Sequence, residues 1–173
     1  MNIIKKTSEP YIDSRSENKK VYLINKYFRD NENVDSEFWE YIGYKEIINS
    51  LINFDKNDLK DLVKDFDYWN SEDLWILGEM FAFIEEYDVQ EKLIEIDRTE
   101  LYCEVFLKTN ELDSDDLLIN LKYVLDKNQN QGKDLLNQLE SKIISLKNSN
   151  NRIQPNDLYN ETLKFIRTIK NYR

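Results

Sequence analysis

The chain has three glycines and two prolines in 173 residues, and the prolines, Pro10 and Pro155, stand near its two ends. Proline is the strongest interior breaker of helix and glycine the next, so the long span between them, interrupted only by Gly43, Gly78 and Gly132, is free to propagate helix. Apolar residues recur along it at helical spacing. Val21, Ile24 and Phe28 share a face in "SENKKVYLINKYFR", and Phe38, Ile42, Ile48 and Ile52 continue through "DSEFWEYIGYKEIINSLINF", where Gly43 is expected to bend or divide the helix. Leu59, Leu62, Val63 and Phe66 form the next face, over 56–67. The spacing predicts an all-α fold of successive antiparallel helical hairpins, as an irregular HEAT-like stack or a bundle.

Five short segments mark where helices begin: "DKNDL" at 55, "NSEDL" at 70, "DSDDL" at 113, "QGKDL" at 131 and "QPNDL" at 154. Each places small polar or acidic residues ahead of an apolar pattern, where a side-chain oxygen accepts from orphan backbone N–H groups and negative charge suits the helix dipole. Their spacing is irregular and defines no repeat period. Leu101, Val105 and Cys103 are expected to face inward, with Cys103 an inert core thiol. The last two helices, 132–147 and 156–171, hold many of the basic residues, and Leu158, Phe165, Ile166 and Ile169 give the final one an amphipathic face. Length fits one domain over 16–173, preceded by a patternless polar arm over 1–15.

Several classes of chemistry lack their residues. The chain has no histidine, which removes Ser-His and Cys-His nucleophile pairs, imidazole metal ligands and the commonest general base. Three glycines can hardly build a phosphate loop, and "DKNDLKD" puts Leu59 where a calcium loop needs an oxygen. The enzyme-like pattern is a pair of carboxylate pairs, Glu37 with Glu40 and Glu85 with Asp88. Such pairs hold Mg²⁺ in all-α nucleotide pyrophosphohydrolases, but there they lie much closer in sequence. No catalytic residue, metal or cofactor is therefore expected. One cysteine forms no intramolecular disulfide, the opening "MNIIKKTSEP" lacks the apolar run of a secretory signal, and no apolar stretch approaches the length of a bilayer span. A cytosolic protein without membrane contact is the expectation.

Charge is unevenly distributed. The net charge is −10, of which residues 1–54 hold −1, residues 55–126 hold −14 and residues 127–173 hold +5. An acidic middle of this strength repels nucleic-acid phosphates and attracts a basic partner. It also has internal order. In "SEDLWILGEMFAFIEEYD", over 71–88, Glu72, Glu79 and Glu86 recur every seventh residue and fall on one helical edge flanked by Trp75 and Phe83, while Leu74, Ile76, Leu77, Met80, Phe81 and Ile84 cover the rest. On the preceding helix Asp58, Asp61 and Asp65 line up as a second acidic row, and "DFDYWN" between the two adds Asp67 and Trp69 at a turn. Such a mixture of carboxylates and large rings suits recognition of a protein surface. Equally, charged helix faces are usually solvated surface, and Trp or Phe at helical spacing is usually core.

The order "EFWEYIGYKEII", "DLKDLVKDFDYWNSEDLWILGEMFAFIEEYD" and "LYCEVFLKTNEL", covering roughly residues 35–126, resembles the small all-helical immunity proteins encoded beside bacterial polymorphic or contact-dependent toxins. The resemblance is one of segment style and order and brings no invariant residue with it. It implies a cytosolic neutraliser that binds a cognate toxin domain, commonly a nuclease, and blocks its active site or substrate surface. Joined to the charge pattern, it makes Asp58, Asp61, Asp65, Asp67, Trp69, Glu72, Trp75, Glu79, Phe83 and Glu86 the candidate toxin-binding residues. A helical adaptor using the same surface for another protein is the alternative, and the pyrophosphohydrolase is a third.

Overall fold

A computed structural model of the chain describes residues 17–82, 98–110, 115–149 and 157–172. Apart from turns and short connections these residues are helical, and no strand occurs among them. The expected arm over 1–15 lies outside the described residues. The helices fall into two compact units that divide between Tyr68 and Trp69, within the aromatic turn.

The first unit holds α1 (Lys19–Asp30), α2 (Ser36–Phe38), a π-helical turn (Trp39–Gly43), α3 (Tyr44–Leu51), α4 (Lys56–Asp65) and a 3₁₀ turn (Phe66–Tyr68). Helix α1 packs against α3 and α4. Val21, Ile24 and Phe28 are buried as their spacing predicts, together with Ile47, Ile48, Leu51, Leu62 and Phe66. The segment around Gly43 departs from the expected pattern. A π turn spends extra residues per revolution, so the apolar stripe changes register across it. Ile42, expected in the core, is 52% exposed, and Phe38 and Ile52 are half-buried, while Trp39, Tyr44, Ile47 and Leu51 point inward.

Trp39 is the hub of this region. Its ring stacks on Phe28 at 5.0 Å and meets the edges of Phe38 at 5.6 Å and Tyr27 at 6.0 Å. The ring also lies directly against Gly43: a Cβ at that position would overlap Trp39 Cε3 and sit 2.9 Å from Cζ3. Gly43 is thus required by close approach. Replacing a helical glycine with alanine normally gains up to about 1 kcal/mol, whereas forcing a methyl into a packed ring costs about 1–3 kcal/mol. With the indole held by three other rings, the steric term wins. Gly43→Ala should destabilise the protein by about 1–2 kcal/mol in urea unfolding, with a weakened near-ultraviolet aromatic signal; a variant as stable as the wild type would show that the ring moves aside freely.

The second unit holds α5 (Ser71–Ala82), α6 (Arg98–Lys108), α7 (Asp116–Lys127), α8 (Lys133–Ser149) and α9 (Asp157–Asn171). Helices α5, α6 and α7 pack on one another, α8 and α9 pair, and this pair sits on the first group through α6–α8 and α7–α9 contacts. Enclosure of α5 follows the sequence: Leu74, Ile76, Leu77, Met80, Phe81 and Ala82 are all buried, while Phe83, Ile84 and the rest of the expected helix to 88 lie outside the described residues. Leu101, Cys103 and Val105 are buried, the thiol among them. All five Asp–Leu pairs begin in the first three residues of a helix. On α9 the buried face is Tyr159, Leu163, Ile166 and Ile169, leaving Leu158 and Phe165 half-buried beside it.

Basic residues near the C-terminus do internal work. Glu140 of α8 accepts from Arg167 Nε and Lys170 Nζ of α9, both at 2.6 Å, and these cations hold its carboxyl below the usual range, Lys170 more than Arg167. Lys147 donates to Asn160 at 2.9 Å, and Lys122 of α7 pairs with Glu161 of α9 at 3.1 Å. No helix among the described residues is long and apolar enough to cross a membrane.

Candidate functional site

Helix α4 begins with a capping box. The Asp55 side chain accepts from Asn57 N–H at 2.8 Å and Asp58 N–H at 2.9 Å, and Asp55 N–H donates back to Asp58 Oδ2 at 2.9 Å. Asp58 is therefore engaged on its own helix before any other element is considered. The N-terminus of α1 completes its shell. Asn18, which caps α1 by accepting from Lys20 N–H at 3.0 Å, donates its amide to Asp58 Oδ1 at 2.8 Å and to Asp61 Oδ2 at 3.3 Å. Lys20 Nζ reaches Asp58 Oδ2 at 2.5 Å and the Asn53 carbonyl at 2.6 Å.

The row Asp58, Asp61, Asp65, expected to face a partner, is thereby divided. Asp58 is 8% exposed and Asp65 4%, the latter accepting from the buried Asn25 amide at 2.8 Å. Both face α1 and hold the fold together. Three-residue spacing gathers carboxylates on one side of a helix, but it does not reveal that another helix will cover that side. Asp61, with its side chain 34% exposed, retains access to solvent and pairs with Lys64 at 2.9 Å. Asp67 and Tyr68, in the turn after α4, are exposed. With Glu17, Asn18, Lys64 and one edge of Asp65, these residues line a concavity of about 500 Å³. Asp61, Asp65 and Asp67 are the predicted residues that share a hollow.

Other predicted residues belong to the second unit. Asn70 caps α5 by accepting from Asp73 N–H at 2.7 Å. Glu72 is exposed and Trp75 half-exposed. Trp69, expected as an anchor at the surface, is 7% exposed and belongs to the core. The Glu79 carboxylate is not solvated edge either: it accepts from Asn120 of α7 at 2.6 Å, and burial first, then the nearby Asp116 charge, raises its pKa against that bond. Phe83 and Glu86 lie outside the described residues, as do Glu85, Asp88 and the side chain of Glu40; Glu37 is exposed.

The residues missed in the sequence are the partners: Asn18, Lys20 and Asn25 for α4, and Asn120 for Glu79. A signal existed for two of them. Asn25 interrupts the buried stripe of Val21, Ile24 and Phe28, and Asn120 interrupts that of Leu117, Leu121 and Val124. A polar residue within an apolar face calls for a buried hydrogen-bonding partner. Among the described residues no group of three or more potential metal ligands occurs. No family model, curated protein or solved structure matches the chain.

Electrostatics makes the role of Asp58 testable. Burial pushes its carboxyl upward, but Lys20, the Asp55 N–H and Asn18 outweigh this and hold it at about 2, against 3.8 ordinarily. The folded pKa is depressed, so the stability it contributes is present above the unfolded value and is lost as pH falls through the folded one. Acid unfolding should show a loss between about pH 4 and about 2 that Asp58→Asn removes. At neutral pH, Asp58→Ala should cost about 1–2 kcal/mol through the lost cap and the stranded Lys20 and Asn18. An acid limb identical in Asp58→Asn and wild type would place the titrating group elsewhere.

Proposed function

We propose that this chain is an immunity protein, a cytosolic binder that neutralises a basic bacterial toxin domain, most simply a nuclease, by covering it with an acidic, partly aromatic surface. The observation that carries this reading is the −14 charge confined to residues 55–126, only part of which the described fold neutralises internally. Asp58, Asp65 and Glu79 are buried or half-buried against protein donors, Asp61 pairs with Lys64 yet is within reach of solvent, and Asp67 and Glu72 are exposed. Crowded carboxylates repel one another, and a cationic partner relieves that repulsion. The resemblance of its segment order to helical immunity proteins is consistent with it.

In this mechanism the carboxylates around Asp61 and Asp67, and Glu72 on α5, act in place of substrate phosphates. They engage Lys and Arg side chains that a nuclease needs for nucleic acid, and they speed encounter by long-range attraction. Tyr68, 43% exposed, and the half-exposed Trp75 are the aromatic contacts, in place of the buried Trp69. The protein acts by occlusion, with no turnover, cofactor or nucleic-acid contact of its own.

The test uses the toxin domain encoded by the adjacent gene. Asp67→Lys with Glu72→Lys is the informative variant, because neither side chain is buried and the fold should be unchanged by circular dichroism. Association with the toxin domain should slow by about tenfold or more at low salt, the difference should shrink at high salt, and protection of toxin-exposed cells should fall. Equal association rates and equal salt dependence would remove these two residues from the interface and the charge-mimicry mechanism with them.

A further inference from the structure

Helices α6 and α8 of the second unit border an open groove of about 560 Å³ that the acidic surface does not use. Its charged lining is Glu104 and Lys108 from α6 and Lys142 from α8, and its neutral polar lining is Asn137, Gln138 and Ser141 from successive turns of α8. The volume falls in the range of small-molecule sites and is far larger than one ordered ion requires. Its charges are incompletely matched. Glu104 and Lys108 stand four residues apart on α6 and offset one another, whereas Lys142 is partly buried and no salt bridge to it occurs among the described residues. Burial and the like charge of Lys108 both lower the Lys142 pKa, so an anion between the two ammoniums would relieve both costs.

We propose that this groove binds a small hydroxylated phosphomonoester, with Lys108 and Lys142 taking the phosphate oxygens, the α8 amides and Ser141 hydroxyl donating to its remaining acceptors, and the Glu104 carboxylate accepting from a ligand hydroxyl. Two ammoniums lining one groove suit a dianion better than a singly charged carboxylate ligand. Glu104 disfavours a bare anion and favours one that carries a donor. The site is independent of toxin binding.

Titration calorimetry on the full chain tests it, with glycerol 3-phosphate, inorganic phosphate and glycerol as probes at constant ionic strength set by sodium chloride. Expected are saturable one-site binding of glycerol 3-phosphate, weaker binding of inorganic phosphate and none of glycerol. Lys142→Met and Lys108→Gln should each weaken glycerol 3-phosphate by about tenfold or more, while Lys133→Met, an exposed lysine of the same helix outside the groove, stays within about twofold. Either groove variant suffices if the other fails to fold. Absence of saturable binding, equal losses at Lys133 and Lys142, or inorganic phosphate binding as tightly as the ester would overturn the proposal.

Discussion

Three donors from the starts of two helices converge on the carboxylate of Asp58: the Asn18 amide, the Lys20 ammonium and the Asp55 backbone N–H. That convergence fixes the first unit. It seats the start of α1 on the start of α4, and Lys20 extends it to the Asn53 carbonyl in the connection from α3. About two turns further along, Asn25 and Asp65 repeat the arrangement where both side chains are buried. Between these polar ties run the apolar contacts of Val21, Ile24, Phe28, Leu62 and Phe66. An unpaired buried carboxylate costs far more than a paired one contributes, so the ties select one register of α1 on α4 as much as they add stability.

An excess of acidic over basic residues has to be distributed between such ties and water. In the second unit, Glu140 draws on Arg167 and Lys170, and Glu161 on Lys122. The C-terminal positive charge is partly consumed in joining α8 and α9. Glu79 takes a neutral donor, Asn120, and burial is the first cause that raises its pKa. What remains near the middle of the chain, at Asp61, Asp67 and Glu72, has solvent access.

Helical period and cap chemistry were directly legible in the sequence. The Asp–Leu pairs at 58, 73, 116, 134 and 157 mark helix starts because capping is a local interaction that needs only neighbouring backbone. The enclosure of Leu74, Leu77 and Phe81 was equally plain, since a helix apolar around most of its circumference has to be covered. Two things were not legible. The π turn at Trp39–Gly43 re-phases the stripe and turns Ile42 outward, and Trp39 at its start stacks on Phe28 from another helix, a contact that no local pattern encodes. Nor does a row of carboxylates announce whether its wet side will stay wet. Asp58 and Asp65 look like Asp61 in sequence and differ only because α1 lies over them.

If the chain is a toxin binder as proposed, its acidic segment has two kinds of carboxylate, one buried within the fold and one exposed to a partner. Carbodiimide footprinting read by mass spectrometry, on the chain alone and with the toxin domain of the adjacent gene, distinguishes them residue by residue. The account predicts rapid labelling of Asp67 and Glu72 and slow labelling of Asp58 and Asp65 in the chain alone, with Asp67 and Glu72 becoming protected once the toxin domain is bound. Labelling of Asp58 and Asp65 as fast as Asp67, or undiminished labelling of Asp67 and Glu72 in the complex, would contradict it.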